Sequence, residues 1–120
     1  MDSGMFLPAQ LAAAKALEMG DVWFAGLNDI YKKRQQKVFE IMDLLGCEYS
    51  KSQAGMFVWA KAPSNYKDGY ALSDKFLYES DVFLTPGGIF GSQGNEYIRI
   101  SLCAKVEIFE EAIRRIVEIV

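Results

Sequence analysis

Tyr97-Ile98-Arg99-Ile100-Ser101-Leu102 alternates strictly between aliphatic and polar side chains. A strand with that period of two sends Ile98, Ile100 and Leu102 to one face and Tyr97, Arg99 and Ser101 to the other. A guanidinium fixed on a strand forks onto a carboxylate through two parallel hydrogen bonds, so Arg99 is a candidate carboxylate anchor. The competing reading is an arginine on a solvated sheet face, which spacing alone favours because surface charge is common.

Other residue sets invite chemistry and fail on context. The segment Thr85-Pro86-Gly87-Gly88-Ile89-Phe90-Gly91-Ser92-Gln93-Gly94-Asn95-Glu96 holds four glycines. A phosphate-cradling loop needs a strand before it and a helix after it, whereas an alternating strand follows here. The glycines therefore read as a flexible or φ-demanding connection. Ser64-Asn65-Tyr66-Lys67 has the Ser-x-x-Lys spacing of a penicillin-recognising nucleophile but lies in a Pro/Asn loop without supporting motifs. Glu110-Glu111 reads as a solvated helix surface. Histidine is absent from the sequence, which removes Ser-His and Cys-His nucleophile pairs and the common zinc sites. No metal site is expected. Cys47 and Cys103 stand far apart and read as two free, buried thiols rather than a disulfide. Met5, Met19, Met42 and Met56 read as core filler.

Composition bounds the class. The 120 residues are 51% hydrophobic and 24% charged, with a formal net charge of −3. That suits one globular domain with a core of its own. No basic stripe is present to neutralise phosphates, so no nucleic-acid partner is expected. No stretch approaches the ~20 apolar residues of a membrane span, and the first residues do not make a signal peptide. The expectation is a soluble, cytoplasmic protein.

The elements that must position Arg99 follow from periodicity. Pro8 to Met19 predicts an alanine-rich helix stopped by Gly20. Asp21 can cap a longer helix running to about Leu45, with Trp23, Leu27, Ile30, Arg34, Val38, Ile41 and Leu45 along one stripe and Gly46 as its end. A helix that long often bridges two parts of a larger structure. Cys47–Ser50 and Met56–Lys61 predict strands. Tyr70–Ser80 predicts a helix with Leu72, Phe76 and Leu77 inward, and Asp81–Leu84 a further short strand. Lys105–Val120 predicts a helix burying Val106, Phe109, Ile113, Ile116, Val117 and Val120. The fold class is α+β, a small mixed or antiparallel sheet covered by helices and preceded by a long interdomain helix.

Several segments together resemble the class I/II aminotransferases of the fold-type I pyridoxal-phosphate enzymes. Asp2-Ser3-Gly4-Met5-Phe6-Leu7-Pro8 with Gln10 and Ala13 looks like the lead into that family's interdomain helices. Tyr31 with Arg34 looks like its Tyr-x-x-Arg-Arg, with Gln35 in place of the second arginine. Gly55-Met56-Phe57-Val58-Trp59 resembles its Gly-x-Phe-x-Trp strand. Thr85-Pro86-Gly87, Phe90-Gly91, Gly94 and Tyr97-Ile98-Arg99-Ile100-Ser101 form the most specific part.

The resemblance implies a C-terminal small domain at residues 21–120 after an interdomain helical segment at 1–20. It implies that Arg99 binds the substrate α-carboxylate of an enzyme exchanging an amino group between an amino acid and a 2-oxo acid. Pyridoxal 5'-phosphate would be the cofactor of that enzyme, a homodimer. The Schiff-base lysine and the other cofactor-holding residues would lie upstream, so this chain is expected to hold no cofactor and to be inactive alone. Ala9 to Phe24 is expected to expose an apolar surface and to self-associate. Two readings compete: a free-standing α+β module that captures amino acids through Arg99, and the small domain of a fold-type I lyase or synthase sharing the carboxylate clamp.

Overall fold

The computed structural model describes residues 4–120; Asp2 and Ser3 of the first motif lie outside it. The chain divides into two compact units, Met1–Ile30 and Tyr31–Val120. In the first, Pro8 opens helix α1 (Leu7–Leu17), where its missing N–H costs nothing. No residue of α1 is buried. Gly20, at φ +76°, turns the chain into helix α2 (Gly20–Leu44) through a conformation a side chain would strain. Over this unit Leu11, Leu17, Met19, Val22 and Trp23 are exposed, while Phe24 is half-buried with its ring edge-to-face on Trp23.

The second unit holds the core. From Val38 onward the α2 stripe is buried at Val38, Ile41, Met42 and Leu45. Gly46, at φ +68°, ends the helix. Its N–H donates to the Asp43 carbonyl, and the N–H of Cys47 donates to that of Met42. This is a Schellman closure, with Met42 and Cys47 both buried beneath it.

Four strands follow: β1 (Glu48–Tyr49), β2 (Phe57–Lys61), β3 (Thr85–Pro86) and β4 (Tyr97–Ser101), ordered β1-β2-β4-β3 and antiparallel throughout. Helix α3 (Gly69–Ser80) lies between β2 and β3, its first turn capped by the Asp68 side chain accepting from the Ala71 N–H. Helix α4 (Val106–Val117) closes the chain. Val58, Ala60 and Ile98 on one sheet face pack with Leu72, Phe76, Phe109 and Ile116 from the helices. This is the expected α+β architecture, with the sheet antiparallel rather than mixed.

Several expectations are corrected. Asp81–Leu84 is not a strand: Asp81 takes the left-handed conformation that ends α3, and the Ser73 hydroxyl donates to the Leu84 carbonyl. Pairing with β4 begins only at Thr85. Val117 and Val120 are exposed because α4 turns Phe109, Ala112, Ile113 and Ile116 inward, a stripe that leaves Val117 on the flank. Met42 alone of the four methionines is buried; Met5, Met19 and Met56 are exposed. Cys47 is buried, but Cys103 sits exposed in the turn after β4. Among the described residues no helix is long and apolar enough to cross a membrane.

Candidate functional site: an arginine between two aromatic rings

Directly paired residues of an antiparallel sheet share a face. The register pairs Phe57 with Ser101, Trp59 with Arg99, Lys61 with Tyr97 and, on the other side of β4, Thr85 with Arg99. The face opposite the core therefore carries Phe57, Trp59, Tyr97, Arg99 and Ser101 together. The Arg99 guanidinium carbon lies 4.2 Å from the centroid of the Phe57 ring and 4.1 Å from that of Phe90. Both distances fall well inside cation–π range. Trp59 stacks on Tyr97 at 5.4 Å, with Phe90 6.2 Å away.

Arg99 is half-buried and makes no ion pair among the described residues. Its Nε is fully buried without a hydrogen-bond partner, the one such side-chain atom among the described residues. A buried, unpaired charged donor is costly to the fold.

Phe90 reaches the guanidinium because the chain after β3 folds tightly on itself. Two 3₁₀ turns, Gly87–Phe90 and Ser92–Gly94, bring Gly87 against Gly94 beneath the Trp59 ring. A Cβ on Gly87 would stand 2.5 Å from the Gly94 carbonyl oxygen and 2.7 Å from the Trp59 ring. These two glycines are demanded by close approach of backbone to backbone, and only Gly91 of the four has a positive φ. The segment is thus a packed scaffold more than a flexible connection.

Two supports escaped the sequence reading. The Arg34 Nη1 donates to the Leu102 carbonyl at 3.1 Å, tying α2 to the end of β4, and its guanidinium lies over the Tyr31 ring at 5.3 Å. The Gln53 amide pairs with the backbone of Trp59, accepting from its N–H at 2.7 Å and donating to its carbonyl at 3.0 Å. Gln53 thereby replaces a strand neighbour that β1 is too short to supply, and Gln35 of α2 holds its carbonyl at 2.9 Å. Neither contact follows from periodicity: Arg34 reaches backbone 68 positions away, and Gln53 reaches across the turn to backbone six positions on.

The remaining candidates do not converge. No hydrogen bond joins Ser64 to Lys67 among the described residues. Glu111 is committed to Arg114 and Arg115, which hold its carboxyl down to about 2. No described cluster of three or more His, Cys, Asp or Glu could hold a metal. A cavity of about 330 Å³ beside α4 is lined by Ile41, Phe83, Ile100, Ile108 and Phe109 together with the charged Asp81, Glu111 and Arg115, and Arg99 does not line it.

A pyridoxal-type cofactor needs an amine that can lose its proton. Lys61, on the same sheet face as Arg99, is bound to Glu96 at 2.9 Å. That contact raises its pKa, first through the hydrogen bond and then through the charge. Lys61, so paired, does not suit that role, and no described residue is assigned to hold the group.

Residues 3–116 match the family described as aminotransferase class I and II. LL-diaminopimelate aminotransferase of Oleidesulfovibrio alaskensis is 41% identical over 119 residues, covering 97% of this chain and 30% of the relative. Transaminase BacF of Bacillus subtilis is 35% identical over 114 residues, covering 94% and 29%. The substrate-bound BacF structure superposes with a TM-score of 0.75 at 34% identity over 96% of this chain and 30% of that one. An aromatic aminotransferase from Pyrococcus horikoshii gives 0.76 at 28% identity over 92% and 30%. The chain thus spans about 30% of the length of the relatives it matches. With its motifs, its antiparallel sheet and its long leading helix accounted for along nearly the whole match, the chain belongs to the aminotransferase class I and II family.

Proposed function

We propose that this chain is the C-terminal small domain of a pyridoxal-phosphate-dependent aminotransferase, with residues 1–20 as the interdomain segment and 21–120 as the domain. In this reading Arg99 binds the α-carboxylate of the amino acid donor and of the 2-oxo acid acceptor. The observation that carries it is a half-buried guanidinium on the sheet face opposite the core, with no carboxylate partner and with Nη1 and Nη2 making no hydrogen bond to the protein among the described residues. The relatives support it: enzymes named for diaminopimelate and for aromatic substrates differ in side chain, and an α-carboxylate is what such amino acids share. The cofactor supplies the electron sink when bound by the rest of the enzyme. This chain's part is to fix the carboxylate, which orients the bond to be broken. The enzyme is proposed to be a cytoplasmic homodimer, with the exposed apolar residues of 4–30 among the surfaces that the rest of the assembly covers.

Arg99→Ala in the enzyme carrying this chain tests the assignment. Losing a charge-assisted bidentate contact should lower kcat/KM for an amino acid donor by about 10- to 100-fold, with KM raised and kcat reduced. Unchanged kinetics would remove Arg99 from the site.

A further inference from the structure

Resting on the carboxylate-anchor reading, the geometry points to Phe57 and Phe90 as positioning residues. They clamp the Arg99 guanidinium between two aromatic faces, so that its Nη1–Nη2 edge alone is presented to a carboxylate. Three observations carry this. The guanidinium carbon is equidistant within 0.1 Å from the two ring centroids, at 4.2 Å from Phe57 and 4.1 Å from Phe90. The rings come from separate parts of the chain. Phe57 opens β2 at the register position paired with Ser101, and Phe90 ends the first glycine turn after β3. Finally, Nε is buried and unpartnered, whereas Nη1 and Nη2 have neither a protein partner nor a place among the buried unpartnered atoms, so they remain reachable.

The physical consequence follows from planarity. A guanidinium offers carboxylates two edges, Nε–Nη and Nη–Nη. Burial of Nε closes the first. Phe57 stands on β2 at one side of β4 and Phe90 follows β3 at the other, so the two rings flank the guanidinium, limit rotation about its Cγ–Cδ and Cδ–Nε bonds and hold the open edge in one orientation. An unclamped arginine would surrender side-chain entropy on each binding event, and the clamp reduces that loss. Cation–π attraction to a ring leaves the in-plane N–H donors free, so the aromatic faces hold the cation without competing for the carboxylate.

The first measurement uses the 120-residue chain and arginine side-chain NMR. Exchange of the Arg99 Nε–H with water should be at least about tenfold slower than that of free arginine under the same conditions, as expected for a donor shut off from solvent. Phe57→Leu or Phe90→Leu should each bring it towards the free-arginine rate, and Phe57→Tyr or Phe90→Tyr, which keep the ring, should preserve protection. Arg99 exchange as fast as that of free arginine in the unsubstituted chain, or unaltered in both leucine variants, overturns the clamp.

The second measurement uses the enzyme carrying this chain. Each leucine variant should raise KM for an amino acid donor by about 3- to 10-fold, with a smaller effect on kcat. The tyrosine variants should recover most of the loss, and a donor amine lacking a carboxylate should be affected far less. If Arg99→Ala weakens amino acid use but neither leucine variant does, the clamp fails and the anchor stands. If Arg99→Ala has no effect, the anchor itself fails, and the exchange rates decide the clamp separately.

Discussion

Replacing Gly87 by alanine tests how the aromatic site is built. The added Cβ would lie 2.5 Å from the Gly94 carbonyl oxygen, 2.7 Å from the Trp59 ring and 2.9 Å from the Tyr97 carbonyl oxygen. The first contact is about 0.8 Å short of the ~3.3 Å at which carbon and carbonyl oxygen ordinarily meet. Two of the three neighbours are backbone and cannot rotate away. Gly94 is held by its N–H bond to the Gly91 carbonyl, and Tyr97 by its place in β4. Relief requires moving Gly87, which pulls on the adjacent pairing of Thr85 and Pro86 with Arg99 and Ile98. Overpacking of this kind costs about 1–3 kcal/mol, and each backbone hydrogen bond lost adds about 0.5–1.5 kcal/mol. We expect a loss of about 2–3 kcal/mol. With a urea slope of about 1–3 kcal/mol per molar, the midpoint should fall by about 0.7–3 M. Fluorescence of Trp59 in a Trp23→Phe background reads the transition next to the substitution. Gly26→Ala is the control: nothing lies within 4 Å of its Cβ in the interior of α2, so helix propensity should stabilise α2 by about 0.5–1 kcal/mol. A Gly87→Ala midpoint within about 0.2 M of the parent would refute the close-approach reasoning.

The two cysteines should separate under a thiol reagent. Cys103 is exposed, while burial pushes the Cys47 thiol up to about 12, so Cys103 should react in the native protein and Cys47 only after unfolding; equal native rates would contradict this packing. Glu111 gives a pH dependence with a defined sign. Hydrogen bonds from Arg114 and then Arg115 lower its carboxyl from 4.5 to about 2. Its stabilising contribution is therefore fully present above pH about 4.5 and is lost as pH falls towards about 2. The effect is small because these groups face solvent. Carboxyl NMR should place its midpoint well below the ordinary carboxylate range, and Glu111→Gln should flatten stability over that window; an ordinary midpoint for Glu111 would overturn the assignment.

Much of this architecture was legible in the sequence because its signals are local. The alternation in Tyr97–Leu102 predicts which side chains of β4 meet the core, and Ile98 and Leu102 are buried as that period requires. Gly46 marks the end of α2 because a left-handed residue there costs glycine nothing. The spacing of Val38, Ile41 and Leu45 predicts a buried stripe, and the structure buries it. Arg99 stands out on the polar side of its strand for the same reason. The sequence offers it as a candidate carboxylate anchor, and spacing alone does not raise it above a surface arginine; the anchor role is the proposal that Arg99→Ala tests.

What tertiary structure decided is how that arginine is held. Phe57 and Phe90 are separated from Arg99 by 42 and 9 positions and by a strand crossover, so no periodicity links the three. The pairing β2–β4 brings Phe57 to the site, and the contact of Gly87 with Gly94 folds Phe90 back over it. The same limit explains Asp81–Leu84, whose β-favouring residues are tied to α3 by Ser73 and never reach β4. It also explains Val117, Val120 and the three exposed methionines, where apolar type indicated a core that the geometry did not provide. Residue type and period determine which side chains a segment offers; which distant groups meet them depends on register and close approach, and those are properties of the assembled fold.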